Sequence, residues 1–294
     1  MQASRYSRYV RYSGMLVLML LICCALLGLA GELLTKPVLH SVGEPPAGMP
    51  TSAVSIPVPG KESVAGWIVP GQAGAGAVLL LHGVRGDRRQ MTARARFLNR
   101  AGYAVLWIDL PAHGESHAER ITFGYEEARA VDAALSYLAR AAPGELLGVI
   151  GVSLGGAATL LARPAQQLSA VVLESVYPTI AEAVQDRLRL YLGDAGPYLA
   201  PGLLIQFPLR LDISPDSLRP IDHLPRMNAP LLIAAGDADQ HTTAAETARM
   251  FGNANAPKSL WMVKGAAHVD LYAYDKEQYE KRISAFFDTY LRKI

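Results

Sequence analysis

Residues 150–156 read IGVSLGG, in which Ser153 stands between Gly151 and Gly155. The spacing Gly-x-Ser-x-Gly is typical of a serine nucleophile on a sharp turn that joins a buried strand to a helix. The preceding LLGVIGV (146–152) is apolar throughout, as expected of a strand covered on both faces. The glycines allow a tight turn and a close approach of the following helix. A plain strand–helix turn, with Ser153 as the helix N-cap, is the structural alternative.

Strands and helices alternate on both sides of this turn, from about residue 52 to the end of the sequence. Helical patterns include 89–102 and 126–142. Such alternation predicts an α/β fold with a mostly parallel sheet of about eight strands, flanked by helices. The first two strands are expected to form an antiparallel hairpin at one edge. The apolar runs that predict the strands are 52–58, 64–69, 77–82, 104–110, 146–152, 170–174, 230–235 and 258–263.

A serine needs a general base to become a good nucleophile, and the base needs an acid to orient it. His268 follows the last predicted strand, and Asp237 and Asp239 follow the strand before it. The carboxyl ends of parallel strands lie at one edge of the sheet, where α/β proteins bind ligands. Ser153, an aspartate and His268 are therefore candidates for a catalytic triad in the chain order serine, acid, histidine.

Five short motifs lie around the ends of the predicted strands: LLLHGVRG (79–86), DLPAHGES (109–116), GVSLGG (151–156), AAGDAD (234–239) and GAAHVDLY (265–272). With these motifs, the chain from about residue 52 onward resembles the α/β-hydrolase superfamily. Within it, the chain is similar to the membrane-anchored, lysophospholipase-like and serine-aminopeptidase-like (S33) branch. The resemblance implies an α/β-hydrolase fold and a serine hydrolase. The family pattern places the acid three residues after Gly236, which favours Asp239 over Asp237.

The resemblance also implies the groups that stabilise the oxyanion. They are the backbone N–H groups of Leu154, next to the serine, and of Val84, in the loop after the strand 77–82. Removing one such donor typically lowers turnover by about 10²–10³-fold. By the same resemblance, His82 shapes this loop rather than acting as the base, and His113 lines the pocket.

Two further carboxylates are alternatives to Asp239 as the acid. Glu174 ends the strand 170–174, a position from which some hydrolases of this fold orient their histidine. Asp270 is two residues from His268 and is expected to tie down its loop instead. Asp239 remains the predicted acid.

Residues 175–229 are too long for a simple connection between two strands. IAEAVQDRLRLYL (180–192) has the pattern of an amphipathic helix, and YLAPGLLIQFPLRL (198–211) is mostly apolar. We expect the segment to form a cap that covers the active site and supplies the substrate pocket. Packing on the sheet alone, and a surface that faces a membrane, are the alternatives.

Three arginines, Arg85, Arg88 and Arg89, follow the LLLHG motif. Cations at the start of a helix oppose its dipole, so helix stability does not explain them. They are candidates for binding an anionic substrate group or a lipid head group. The alternative is a solvated face that Asp87 partly neutralises.

Residues 12–31 form a run of twenty positions without a charged side chain. A helix of about twenty apolar residues spans the hydrocarbon core of a membrane. Arginines precede the run, which predicts a cytoplasmic N-terminus and a catalytic domain outside the cytoplasm. A cleaved signal peptide, with small residues at Gly28 and Ala30, and a buried globular helix are the alternatives.

The predicted organisation is an anchor or signal peptide over 1–31, a proline-rich linker over 32–51 and a hydrolase domain over 52–294. A formal net charge of +2 and 18% charged residues are typical neither of a nucleic-acid-binding tail nor of a disordered chain. The only cysteines, Cys23 and Cys24, lie in the apolar run and form no disulfide framework for the domain.

The predicted activity is cleavage of an ester, thioester or amide bond in a small-molecule or lipid acyl substrate, through an acyl-enzyme. No cofactor, metal or nucleic-acid partner is expected. The predicted location is a membrane, or the periplasm or medium if the apolar segment is cleaved. The alternative of a different class is a catalytically silent α/β-hydrolase fold that serves as an anchored binding module.

Overall fold

The computed structural model describes the backbone of residues 2–293 and the side chains of residues 12–293. Its strands are β1 (Val38–Leu39), β2 (Ser52–Ile56), β3 (Val64–Val69), β4 (Ala77–Leu81), β5 (Ala104–Ile108), β6 (His113–Gly114), β7 (Leu147–Val152), β8 (Leu168–Glu174), β9 (Leu231–Gly236) and β10 (Lys258–Val263). Its α-helices are α1 (Gln2–Thr35), α2 (Thr92–Arg100), α3 (Tyr125–Ala141), α4 (Leu154–Leu161), α5 (Ile180–Leu192), α6 (Ala200–Leu204), α7 (Gln206–Leu211), α8 (Ala244–Asn253), α9 (Leu271–Tyr274) and α10 (Lys276–Tyr290).

The central sheet has eight strands in the order β10-β9-β8-β7-β4-β5-β3-β2. Neighbouring strands run parallel, except that β3 pairs antiparallel with both β2 and β5. The predicted mostly parallel sheet, with an antiparallel hairpin at one edge, is therefore confirmed. Because β7, β9 and β10 are parallel, the residues that follow them lie along the same edge of the sheet.

The strand β4 shows why the central strands are apolar without alternation. Ala77, Leu79 and Leu81 pack into the core on one face of the sheet, and Val78 and Leu80 pack into the core on the other. Helices α3, α4 and α8 cover the first face, and α2 and α10 cover the second. Burial stabilises each of these leucines by roughly 1.5–3 kcal/mol relative to exposure.

The segment between β8 and β9 is largely helical. The predicted amphipathic helix is α5, which begins after Thr179, whose Oγ1 accepts a hydrogen bond from the Glu182 N–H at 3.2 Å. Short 3-10 helices, at Gly193–Leu199 and Pro220–Arg226, precede α6 and follow α7. Helices α5, α6 and α7 all contribute side chains to the cavity that contains Ser153.

Helix α1 is the one helix in the described part of the chain that is long and apolar enough to cross a membrane. This stretch, Tyr12–Thr35, has 24 residues, and an 18-residue window within it has a mean hydropathy of 2.6. The predicted apolar segment ended at residue 31 because Glu32 is charged. The helix continues for four residues beyond that position, to Thr35. That charge is compensated because Glu32 pairs with Arg120 at 3.0 Å and with Arg210 at 2.5 Å.

The segment predicted as a linker, 32–51, is held against the domain along part of its length. Its strand β1 pairs in parallel with β6, with Val38 opposite His113. The N–H of Val42 donates to a carboxylate oxygen of Glu115 at 2.9 Å. These contacts connect α1 to the loop that follows β5.

Candidate active site

Ser153 occupies the turn between β7 and α4 in a backbone conformation that L-residues rarely adopt. Its φ is +47° and its ψ is −107°. Such a conformation stores on the order of 1–3 kcal/mol of strain, which surrounding contacts must offset. The Ser153 N–H donates to the carbonyl of Glu174 at 2.8 Å, and the Ser153 carbonyl accepts from Ala157 N–H at 2.9 Å. The turn is thus fixed to β8 on one side and to α4 on the other.

The neighbouring glycines are required by close packing. A Cβ on Gly155 would lie 2.6 Å from Cβ of Leu81, and a Cβ on Gly151 would lie 2.6 Å from Cα of Gly156. Both contacts are shorter than van der Waals contact allows. The glycines therefore let α4 sit directly against β4 and β7, as the sequence predicts for a nucleophile turn.

His268 and Asp239, which follow β10 and β9, are in direct contact. The Nδ1 atom of His268 lies 2.8 Å from Oδ2 of Asp239. The other oxygen, Oδ1, accepts hydrogen bonds from the N–H groups of His241 (2.8 Å) and Thr242 (2.9 Å). Since the carboxylate is an acceptor, Nδ1 of His268 carries the proton and Nε2 is left free to accept one.

The charge of Asp239 is stabilised by these contacts. Burial alone would raise its pKa, but the hydrogen bond and charge of His268, with the two backbone N–H groups, lower the pKa below its ordinary value. Asp239 is 4% exposed, so its carboxylate is fixed in place. An ionised and immobile carboxylate holds the imidazole in one tautomer and one orientation.

The two alternative acids have other partners. The Glu174 carboxylate accepts from Nη2 of Arg94 at 2.7 Å and from the hydroxyl of Tyr279, all within the core. Asp270 pairs with the same arginine at 2.7 Å and caps α9 through the N–H of Tyr272 at 2.9 Å. Asp237, the other candidate from AAGDAD, accepts from Gly265 N–H at 2.6 Å. Of the four carboxylates, Asp239 is the one hydrogen-bonded to His268.

The two predicted oxyanion donors border the same cavity as Ser153. Leu154 is the first residue of α4, so its N–H has no acceptor within the helix and lies at the positive end of the helix dipole. The Val84 N–H has no hydrogen-bond acceptor within the described part of the chain. Neither N–H group has an acceptor within the described residues, as a donor to a substrate oxygen requires.

Two buried histidines shape the loop that contains Val84. Nε2 of His82 accepts from Leu110 N–H at 3.0 Å, so its Nδ1–H donates to the Gly83 carbonyl at 2.7 Å. Burial, with the nearby His113, lowers the pKa of His82 to about 3 and keeps it neutral. Its position supports the implied structural role.

His113 has a contact that the sequence did not reveal. Its Nε2 accepts from the N–H of Arg85 at 3.0 Å, and its Nδ1 lies 2.9 Å from the Pro111 carbonyl. Arg85 has a φ of +62°, and this hydrogen bond holds it in that conformation. His113 thus supports the loop from behind rather than facing the substrate.

His241 is a residue near the site that sequence reasoning missed. Its ring stacks on that of His268, with centroids 4.9 Å apart and planes 10° from parallel. Burial lowers the pKa of His241, and the charge of Arg187 lowers it further, which favours the neutral ring. The stack restricts rotation of His268. The one signal in the sequence was its position two residues after Asp239.

The three clustered arginines separate in the structure. Arg88 is buried and pairs with Asp109 and Glu115, and Arg89 pairs with Asp87 at 2.8 Å. Both therefore have structural partners. Arg85 is the member of the cluster that lines the Ser153 cavity.

The cavity next to Ser153 has a volume of about 500 Å³. Val84, Arg85, Ser153 and Leu154 form its floor. Helices α5, α6 and α7 form one wall, and the last turns of α1 form another. Within the described side chains, no three His, Cys, Asp or Glu residues are grouped as a metal site requires.

Comparison with known proteins agrees with this architecture. The profile of a family described as serine aminopeptidase, S33, matches residues 72–209. An uncharacterized protein of Mycobacterium tuberculosis is 28% identical over 238 residues, 77% of this chain and 78% of its own length. The uncharacterized protein YqkD of Bacillus subtilis is 21% identical over 253 residues, 85% of this chain and 83% of its own.

Solved structures share the fold. The esterase Pf2001 of Pyrococcus furiosus superposes with a TM-score of 0.71 at 21% identity, covering 87% of this chain and 99% of its own. The dienelactone hydrolase of Anabaena variabilis superposes with a TM-score of 0.60 at 23% identity, covering 82% of this chain and 98% of its own. At these identities the likeness establishes the fold, and the chemistry must be argued from the site.

Proposed function

This chain has the α/β-hydrolase fold, and on that premise we propose that it is a serine hydrolase that cleaves an ester, thioester or amide through an acyl-enzyme. The observation that carries the proposal is the hydrogen bond of 2.8 Å between His268 Nδ1 and Asp239 Oδ2. It lies at the sheet edge where the strained Ser153 turn borders a cavity. Packing alone does not require a buried carboxylate to orient a partly exposed histidine there.

In the proposed mechanism, Nε2 of His268 takes the proton of Ser153 Oγ as Oγ bonds to the substrate carbonyl carbon. The carbonyl electron pair moves onto oxygen, where the N–H groups of Val84 and Leu154 donate to it. Collapse of this intermediate breaks the bond to the leaving group, which takes the proton from His268. The acyl group is then bonded to Ser153.

Deacylation repeats the same steps with water. His268 takes a proton from water, whose oxygen bonds to the acyl carbon, and the Ser153 oxygen leaves with that proton. Asp239 keeps its negative charge throughout and stabilises the imidazolium that forms in each half of the reaction.

The substrate in this proposal carries an acyl group that fits the cavity beside Ser153. The cap helices contribute apolar side chains, among them Ile180, Leu203 and Phe207. Such a lining favours an aliphatic acyl group over a peptide with charged side chains. We therefore expect carboxylesterase or lysophospholipase chemistry ahead of peptidase chemistry.

The proposed location is a membrane, with α1 as a single-pass anchor and the catalytic domain outside the cytoplasm. The length and hydropathy of Tyr12–Thr35 support an anchor. The arginines that precede the apolar run support this orientation.

Hydrolysis of p-nitrophenyl esters by the purified full-length protein tests the activity. We expect turnover by the wild type and loss of that turnover in Ser153→Ala. A wild-type protein that is folded but hydrolyses neither p-nitrophenyl acetate nor longer esters, thioesters or amides would support the silent binding module instead.

A further inference from the structure

The last turns of α1 belong to the wall of the active-site cavity. Gly31, Leu34 and Thr35 border the same space as Ser153. A helix that only attached the domain to a membrane would have no reason to reach the nucleophile. The catalytic cavity is therefore completed by the helix that is apolar enough to span a membrane.

Specific contacts hold α1 against the cap. Nε2 of Gln206 donates to the Leu27 carbonyl at 3.0 Å, and Nη2 of Arg210 donates to the Gly28 carbonyl at 2.7 Å. Arg210 also pairs with Glu32 at 2.5 Å. These bonds join α7 to three positions along α1, so the two elements form one wall.

Small residues let the two elements approach closely. A Cβ on Gly202 of α6 would lie 2.8 Å from Cδ1 of Leu27, and a Cβ on Gly31 would lie 2.1 Å from Oε1 of Gln206. A larger side chain at either glycine would force Leu27 or Gln206 to move. Both α1 and α6 thus contribute a glycine to the close contact.

Large apolar side chains are exposed on the cap as well as on α1. Tyr198, Ile205 and Leu209 are 86%, 64% and 79% exposed, although all three are large and hydrophobic. Helix α7 is hydrogen-bonded to α1, on which Leu26 and Leu29 are 61% and 56% exposed. Exposed apolar side chains on a cap that is bonded to a helix apolar enough to cross a membrane favour contact with a lipid bilayer.

The chemistry of the lining matches an amphiphile. The residues that line the cavity are mostly apolar and include three arginines, Arg85, Arg187 and Arg210, but no aspartate or glutamate. Arg210 is paired with Glu32, whereas Arg85 and Arg187 make hydrogen bonds to backbone carbonyls of Leu33 and Ala183. Two guanidinium groups therefore carry positive charge next to an apolar space.

From these observations we propose that α1 and the cap together form an acyl-binding site that takes an anionic, acylated amphiphile directly from the membrane. The inference rests on the proposed hydrolase function and names the substrate class of that site. The acyl chain lies between α1 and the cap with its ester carbon at Ser153. Arg85 and Arg187 bind the anionic head group.

The experiment compares two tryptophan substitutions in α1 in the full-length protein, reconstituted in phosphatidylcholine nanodiscs. Leu34→Trp narrows the cavity, whereas Leu29→Trp is the matched control because Leu29 is exposed and does not line it. The substrates are palmitoyl lysophosphatidylglycerol, supplied in the nanodisc, and p-nitrophenyl acetate, supplied in solution.

We expect Leu34→Trp to lower the ratio of the two kcat/KM values, lipid over acetate, by about fifteenfold, the effect of denying burial to two methylene groups. The ratio for Leu29→Trp is expected to equal that of the wild type. Equal ratios for all three proteins would overturn the proposed wall. Hydrolysis of the acetate but not of the lipid by the wild type would overturn the proposed substrate class.

The head-group assignment has its own pair of variants. Arg187→Met removes a cavity cation, and Arg189→Met, on the same helix but paired with Asp186 and outside the cavity lining, is the control. We expect Arg187→Met to remove the wild-type preference for lysophosphatidylglycerol over lysophosphatidylcholine, and Arg189→Met to retain it. No preference in the wild type would contradict the anionic head group.

The outcomes separate this inference from the proposed function. If the wild type hydrolyses neither the acetate nor the lipid, the hydrolase proposal fails and the inference fails with it. If the acetate is hydrolysed while the tryptophan pair shows no difference, the hydrolase proposal stands and the inference alone fails.

Discussion

The carboxylate of Asp239 lies 2.8 Å from Nδ1 of His268 and is held there by two backbone N–H groups. This arrangement fixes which nitrogen of the imidazole carries the proton. In the proposed mechanism Nε2 then accepts the proton of the Ser153 hydroxyl, so the orientation of one carboxylate would determine whether the base can act.

We expect Asp239→Asn to lower kcat/KM for p-nitrophenyl esters by up to about 10⁴-fold, because an amide N–H facing Nδ1 favours the wrong imidazole tautomer. The shape of the side chain is kept and one oxygen can still accept backbone hydrogen bonds, so thermal stability should change little. Steady-state kinetics and a thermal unfolding curve of the same preparation measure both quantities. Near wild-type turnover in this variant would remove Asp239 from the mechanism.

Glu174→Gln is the matched comparison. The carboxylate of Glu174 pairs with the buried Arg94 and not with His268. Loss of this ion pair should therefore lower the thermal stability before it lowers turnover. A variant that remained as stable as the wild type but lost turnover would assign the acid role to Glu174.

If the cap binds the acyl group, kcat/KM should depend on acyl chain length. Each methylene buried in the cavity contributes about 0.8 kcal/mol, or about fourfold in kcat/KM, until the space is filled. We expect the specificity constants of p-nitrophenyl esters to rise with chain length and then level off. A flat profile in the wild type would mean that the cap does not bind the acyl group.

Leu203→Asp should flatten that rise, because Leu203 lines the cavity and a carboxylate there opposes burial of an alkyl chain. Leu209→Asp is the control, since Leu209 is 79% exposed and is not among the lining residues. Identical chain-length profiles for the two variants would contradict the assigned lining.

A pH dependence of stability is expected from Glu246. Burial, with Asp186 of the cap helix α5 nearby, raises the pKa of Glu246 to about 7, above its ordinary value of 4.5. The folded state therefore binds more protons than the unfolded state between these two values, and its stability falls as the pH rises through that window. We expect Tm to decrease from pH 5 to about pH 7 more steeply in the wild type than in Glu246→Gln. Parallel curves for the two proteins would rule out this contribution.

The membrane anchor predicts that the mature protein retains α1 and stays in the membrane fraction after a carbonate wash. Glu32, Gln206 and Arg210 also tie α1 to the catalytic domain, so its removal should disturb the cavity. N-terminal sequencing of the mature protein checks this. A mature chain that began at Gly31 would show that the apolar segment is a cleaved signal.

The parts of the site that follow strands could be predicted from the sequence. Ser153, Asp239 and His268 each come after an apolar strand, and the parallel sheet brings such positions to one edge. The choice of Asp239 over Asp237 relied on family resemblance, whereas the contact between Arg94 and Glu174 is what separates Glu174 from His268. That contact joins residues 80 positions apart and leaves no local pattern.

The other features of the site could not be predicted because they depend on tertiary packing. The stack of His241 on His268 and the support of Arg85 by His113 arise from loops that meet only in the folded chain. The role of α1 was hidden because Glu32 made the apolar run seem to end at residue 31. The charge of Glu32 is compensated by Arg120 and Arg210, which are distant from it in the sequence.

The most direct test of the account is to locate the nucleophile. The full-length protein is treated with a fluorophosphonate probe, digested, and its peptides are analysed by mass spectrometry. We predict a single modified site at Ser153, lost in Ser153→Ala and reduced in Asp239→Asn and His268→Ala, because the serine is reactive only when the imidazole can take its proton. Modification of a different residue, or ester hydrolysis by a protein that remains unlabelled at Ser153, would contradict the proposed mechanism.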